Sequence, residues 1–165
     1  MKMTKNFKLQ EFVPASIYEK YGENSMWFID DMLPTGAQMV RDELYTQLIK
    51  PLGEYVDIRM VINGKDRDES GFRVPSTETG KLLSQHRFGR AIDFQILGKR
   101  NDGKWEHIPS LEIQRIIAMP TVWEKLRFIW TTMEGGTLGW THLDMRYRPA
   151  SEYSKGPAIV AIPAK

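Results

Sequence analysis

Apolar positions fall into short periodic runs separated by polar or glycine-containing breaks. Val40, Leu44 and Leu48 recur every fourth residue, the spacing of one buried helix stripe. Pro34 and Thr35 precede this run and Pro51 and Gly53 follow it, predicting a helix of about 15 residues. Val56, Ile58, Met60 and Ile62 then alternate with other residues, the period of a half-buried strand, closed by an Asn63-Gly64 turn. Lys65 to Glu69 reads as a charged loop. A Ser/Thr/Gly-rich stretch runs to Gly80 after Ser70-Gly71-Phe72-Arg73. Ala91 to Ile96 predicts a buried strand and Gly98 to Gly103 a loop. Ser110 is placed to cap a helix through Met119, with Leu111, Ile113, Ile116 and Ile117 apolar. Leu126 to Thr131 and Trp140 to Met145 read as two further strands, with Glu134-Gly135-Gly136-Thr137 as the turn between them. Residues 1–30 carry Leu9, Phe12, Val13, Ile17, Tyr18, Tyr21, Trp27 and Phe28, enough apolar surface to pack on the core. Trp27, Trp123 and Trp130 are all expected inside. The segment from Pro149 is expected to wrap the surface.

A helix-rich start followed by strands with one inserted helix predicts an α+β fold, with helices packed on a small, mainly antiparallel sheet. The 165 residues suit one domain spanning 1–165. A chain of this length buries roughly 70% of its unfolded surface, so it needs no disulfide to fold. Its 23 basic and 21 acidic side chains are balanced and scattered, which argues against a nucleic-acid binder. No apolar run reaches membrane-spanning length, so no membrane insertion is expected. The basic start has no apolar core behind it, so synthesis in the cytoplasm without a secretory signal is the expectation. A monomer is expected.

The chemistry concentrates on two of the three histidines. One stretch is Ser84-Gln85-His86-Arg87-Phe88-Gly89-Arg90-Ala91-Ile92-Asp93; the other is Trp140-Thr141-His142-Leu143-Asp144. With no cysteine in the chain, a zinc ion would have to be held by His, Asp or Glu. Neutral imidazole and carboxylate suit zinc, and a catalytic site uses three such ligands and leaves a position for water. Gly89 and Ala91 allow a sharp turn between His86 and Asp93. The apolar neighbours of Asp93, Ile92 and Phe94, imply a carboxylate on a buried strand, costly unless paired or metal-bound. His107 lies in no motif and reads as a surface residue.

The first stretch resembles the S-x-H-x-x-G-x-A-x-D signature of the zinc D-alanyl-D-alanine carboxypeptidase family. That family includes phage L-alanyl-D-glutamate endopeptidases and shares its fold with the hedgehog signalling domain. Ser84, His86, Gly89, Ala91 and Asp93 match all its fixed positions. Ser70-Gly71-Phe72-Arg73 resembles the family's S-G-[YF]-R element, and Trp140-Thr141-His142-Leu143-Asp144 its W-x-H-x-D element. The three occur in the family's order between residues 70 and 144. The resemblance implies a hedgehog/DD-peptidase-like fold and His86, Asp93 and His142 as Zn2+ ligands. It also implies a peptidoglycan peptide as substrate, cut as a carboxypeptidase or an endopeptidase. A phage endolysin released by a holin, or a virion-associated lysin, fits the missing secretory signal.

Water bound to such a zinc is acidified to a pKa of about 7, and peptide hydrolysis also needs a base to move its proton. Many family members carry Glu or Asp three residues before the last histidine ligand; here that position is Gly139. Glu134, folded back over the glycine turn, is the preferred replacement. Asp144 is the alternative, or else a partner that orients His142. Arg73 matches a family arginine near the metal that can stabilise a carbonyl oxygen or bind a substrate carboxylate. Ser84 is a candidate substrate contact or loop brace, and Trp140 a candidate cleft wall. The missing carboxylate at position 139 leaves a second reading open, a zinc-containing binding or structural (virion) module of the same fold without turnover.

Overall fold

A computed structural model of the chain describes residues 1–49, 53–63, 70–74, 84–146 and 157–161. Among the described residues, four α-helices, α1 (Ala15–Tyr21), α2 (Met32–Ile49), α3 (Ser110–Ala118) and α4 (Pro120–Leu126), accompany six strands. The strands are β1 (Asp57–Val61), β2 (Ala91–Lys99), β3 (Trp105–Ile108), β4 (Thr132–Gly135), β5 (Thr141–Asp144) and β6 (Ala158–Ala161). They form one sheet in the order β1-β2-β5-β4-β6, with β3 also paired to β2. Every pairing is antiparallel except β4 with β6. The fold is therefore α+β, as the pattern predicts. Among the described residues no helix is long and apolar enough to cross a membrane.

β2 organises the molecule. Its Gln95–Lys99 half pairs with β1 along one edge and, from Ile96, with β3 along the other. Its Ala91–Phe94 half pairs with β5. Ile92, Phe94 and Ile96 point into the core, where Ile58, Met60, Met133 and Leu143 from neighbouring strands join them. Helices α2 and α3 pack against that face. The predicted stripe of α2, Val40, Leu44 and Leu48, is fully buried. Asp30 starts this helix by accepting the backbone N–H of Met32 on its carboxylate (3.0 Å), and Pro34 is tolerated in the first turn, where its missing N–H has no intrahelical partner. The N-terminal segment does pack on the core through Leu9, Phe12 and Val13.

Several expectations need correction. Leu126 to Thr131 is not a strand. Val122, Trp123 and Leu126 form the buried side of α4, and the strand begins only at Thr132. The break between α3 and α4 lies at Met119, held extended (ψ 131°) before Pro120, as the residue before proline prefers. Gly98 and Lys99 belong to β2, and Trp105–Ile108 returns as β3, so the loop between them is a hairpin connection. Val56 is outside β1 and about half exposed. Trp123 and Trp130 are core residues, but Trp27 is 84% exposed. Part of the C-terminal tail is the strand β6 rather than surface wrapping. Pro51, Gly64, residues 65–69, the polar stretch 75–80 and Pro149 lie outside the described residues.

Candidate metal centre

His86, Asp93 and His142 converge as a group able to hold a metal ion. Strand pairing does most of this. Asp93 and His142 are direct cross-strand partners in β2 and β5. The N–H of Asp93 donates to the Ser70 carbonyl (2.7 Å) on the opposite edge, so the pair is of the non-hydrogen-bonded kind, in which side chains sit closest. His86 arrives from a short 3-10 turn, Gln85–Phe88, that ends at Gly89. Gly89 takes a left-handed conformation (φ 62°), and a Cβ there would meet the Phe28 carbonyl oxygen at 2.2 Å. The Gly89 carbonyl accepts the N–H of Asp30, and Arg90 Nε donates to the Asp30 carboxylate (3.0 Å), tying this turn to the start of α2.

Two of the three ligand-atom separations are those of ligands around one metal ion, and the third is a hydrogen-bond distance. His86 Nε2 lies 3.3 Å from His142 Nδ1 and 3.4 Å from Asp93 Oδ1, and His142 Nδ1 lies 2.8 Å from Asp93 Oδ1. Ligands at tetrahedral corners about 2.0–2.1 Å from a zinc ion stand ~3.3 Å apart.

The outer hydrogen bonds aim the lone pairs. His86 Nδ1 faces the Gly71 carbonyl at 2.7 Å. A carbonyl only accepts, so Nδ1 carries the proton and neutral His86 offers its Nε2 lone pair inward. His142 faces a carboxylate on each side, Asp144 Oδ2 from Nε2 at 3.1 Å and Asp93 Oδ1 from Nδ1 at 2.8 Å, so a proton held on Nε2 by Asp144 leaves Nδ1 to face inward. With His142 neutral and its proton on Nε2, three acceptors point at one spot. A bare arrangement of this kind resolves only by protonating a histidine or by binding a cation.

The electrostatics agree. Burial opposes charge on His142, but hydrogen bonds to Asp144 and Asp93 outweigh it and push the imidazole up to about 9. Burial likewise works against the Asp93 carboxylate, yet the two histidines hold its pKa well below the usual range. Asp144 is fully buried, and His142 and Arg146 overcome its desolvation and bring it down to about 2. Arg146 donates from Nε to both Asp144 oxygens (2.8 and 2.9 Å) and from Nη2 to Oδ2.

The Ser70–Arg73 element is built into the centre's wall. Ser70 and Gly71 supply the two carbonyls already described, and the Arg73 N–H donates to the His86 carbonyl (3.0 Å). The Arg73 guanidinium reaches Asp93 Oδ2 at 3.4 Å. Gly71 packs so tightly that a Cβ would meet the Phe12 carbonyl oxygen at 2.2 Å, while Phe72 fills the core beside Phe28.

Glu134 lies in β4, not in a turn. The register Thr132↔Asp144 and Met133↔Leu143, taken one step further, sets Glu134 alongside His142 on the same sheet face. Its charge contributes to raising the His142 pKa. No fold-back over the glycines is needed. Ser84 is half-buried at the start of the His86 turn, and its side chain makes no capping bond. Trp140 is half-buried just before β5, and its carbonyl accepts the Thr137 hydroxyl. A Cβ on Gly139 would meet nothing within 4 Å. His107 is exposed on β3, as expected.

Two contributors escape sequence reasoning. Arg146 is the residue that occupies Asp144; its place two residues beyond Asp144 was the available signal. Gln114 clamps the β4–β5 connection: its Nε2 donates to Thr137 Oγ1 (2.6 Å), and its Oε1 accepts the Gly136 N–H (3.1 Å). A glutamine beside Ile113 and Ile117 on a buried helix face was its signal. Comparison with protein-family models, with curated proteins and with solved structures finds no match to this chain in any of the three.

Proposed function

We propose that the chain is a zinc-dependent peptidase that hydrolyses stem-peptide or cross-link peptide bonds of bacterial peptidoglycan, acting as an endolysin or virion-associated lysin. The observation that carries this reading is the convergence of ligand atoms from His86, Asp93 and His142 on one spot, with the outer nitrogen of each histidine facing an acceptor. This donor set suits zinc, and it sits inside three sequence elements that resemble a zinc peptidase family with a hedgehog/DD-peptidase-like fold. When bound, zinc would supply a Lewis acid and lower the pKa of water for attack on a carbonyl.

The chain's own residues divide the remaining work. Glu134, half-buried beside His142, takes the proton of the attacking water and hands it to the leaving amine. Asp144 is committed to His142 and Arg146, so it orients the ligand rather than acting as base. Arg73 stands beside Asp93 and is suited to the substrate carbonyl oxygen or a carboxylate. Ser84 and Trp140 border the approach. Gly139 favours a second reading, a zinc-holding module without turnover, because the usual family carboxylate is missing there.

The test measures soluble fragments released from purified peptidoglycan by the zinc-loaded protein, the chelated protein and Glu134→Gln. Release by the zinc-loaded protein alone is expected, with Glu134→Gln reduced about 100-fold or more at unchanged metal content. Release that survives chelation would overturn the zinc mechanism. Zinc binding without release across several peptidoglycan chemotypes would establish the non-catalytic module instead.

A further inference from the structure

The metal centre occupies only the Ala91–Phe94 half of β2, and the same sheet face continues beyond it. Asp93, Gln95, Leu97 and Lys99 alternate on that face. The register sets Val61 beside Gln95 and Arg59 beside Leu97 on one edge, and Trp105 beside Lys99 on the other. Arg59 and Trp105 come from strands on opposite sides of β2 and meet across it. The Arg59 guanidinium carbon lies 4.9 Å from the Trp105 ring centroid. Both side chains are exposed, Trp105 by 38%.

The Arg59 side chain makes no hydrogen bond or ion pair among the described residues. The acids nearby are already engaged. Asp57 accepts the Ile58 N–H (2.8 Å) and lies 3.7 Å from Arg41; Glu11 accepts the Lys8 N–H (2.7 Å); Glu106 is bound by Arg100 (2.6 Å) and Tyr55 (3.0 Å). A cavity of about 450 Å³ opens along β1 against the N-terminal segment, with Glu11, Arg41, Asp57, Arg59 and Trp105 in its wall. The result is a guanidinium over an indole face, with its donor fork unspent, at the rim of a concavity. That is the geometry that receives a carboxylate.

We infer that Arg59 and Trp105 form a subsite for a carboxylate of the peptide substrate, on the same sheet face as the metal ligands. The inference rests on the peptidase reading for its choice of a peptide. Leu97 lies four residue steps along β2 from Asp93, roughly 13 Å at ~3.3 Å per residue, so the subsite would hold a carboxylate about four extended residues from the bond at the metal. Arg59 pairs with its oxygens, and Trp105 fixes the guanidinium and covers the adjoining peptide plane. The carboxylate is either the peptide's C-terminus or a side-chain acid.

The experiment titrates three soluble stem peptides into the zinc-loaded protein, following the Trp105 indole N–H by NMR. One peptide has all carboxylates free, one is amidated at the C-terminus, and one is amidated on its side-chain acid. The free form is expected to bind about tenfold more tightly than one of the amidated forms, and which one identifies the source. Arg59→Gln is expected to remove that difference while leaving the weaker peptide's affinity unchanged; Arg59→Lys restores part of it. A preference that persists in Arg59→Gln, no preference at all, or no binding of any peptide by the unaltered protein would each overturn the subsite. Peptidoglycan fragment release measured on the same proteins separates the two readings. Arg59-dependent preference without release leaves the subsite and removes the peptidase. Release with no Arg59-dependent preference does the reverse.

Discussion

The two faces of β2 share one backbone and do unrelated jobs. Ile92, Phe94 and Ile96 face the helices and are sealed from solvent. Ala91, Asp93, Gln95, Leu97 and Lys99 face the other way, where Asp93 joins the metal-binding group and Leu97 and Lys99 lie beneath Arg59 and Trp105. A period of two separates stability from chemistry to within a single residue. Substitutions on one face should therefore spare the function of the other, and that separation is open to test.

The largest effect is expected on the core face. Phe94→Ala should cost roughly 3–5 kcal/mol in chemical denaturation, because it opens a cavity in a packed core that cannot fully collapse. The fraction still folded should bind zinc with unaltered affinity. If metal affinity falls in step with stability, the two faces are not independent.

Asp144→Asn comes next and reverses the pattern. The fold should survive, since the amide can keep a hydrogen bond to Arg146 or His142. Zinc affinity should drop about 10–100-fold, because the imidazole loses the carboxylate that orients it and raises its basicity. Competition with a chromogenic chelator measures this. The same pair predicts a pH dependence. In metal-free protein the His142 pKa is raised to about 9 from an ordinary 6.5, so its stabilising contribution is complete below pH ~6.5 and is lost as pH rises through about 9. Denaturation of the chelated protein across that window should show the decline, and Asp144→Asn should flatten it. Zinc binding near neutral pH must displace that proton, visible as buffer-dependent heats in calorimetry.

The smallest effect is expected at Lys99→Ala, at the far end of the functional face. Stability should change within about 0.5 kcal/mol, and zinc affinity should not change. A larger loss of metal binding there would mean that the two halves of this face are coupled.

Much of the candidate metal site was legible because His86 and Asp93, and His142 and Asp144, lie in short local patterns. The signature around His86 and Asp93 includes the Gly89 that the turn needs, and both the left-handed φ and the close approach of Phe28 forbid a side chain there. Alternating and four-residue periodicities located α2, β1 and the start of β2 for the same reason: one buried stripe per element. Errors came where tertiary context decides. The Leu126–Thr131 run is apolar enough for a strand, but its first residue closes the buried side of α4 and Trp130 is drawn into the core, where its indole donates to the Gly36 carbonyl (3.0 Å). Trp27 looks like a core residue by composition and is exposed, because residue type alone carries no direction. Glu134 precedes the glycine turn at the end of a strand, as read from the sequence, but the register continued past Met133, not a fold-back over the glycines, sets it alongside His142.

The sequence by itself determined the ligand types, the backbone freedom at Gly89, the α+β alternation of elements and the absence of any thiolate. These follow from local composition and spacing, which fold into each residue's immediate neighbourhood. Only the tertiary structure decided how each carboxylate is placed. Asp144 and Glu134 are both acids near His142, but sheet packing buries Asp144 fully and leaves Glu134 half-buried. Strand pairing brings Arg59 and Trp105, far apart in the chain, onto one face. Cross-strand register joins distant residues, and no local pattern encodes which distant partner a strand will find.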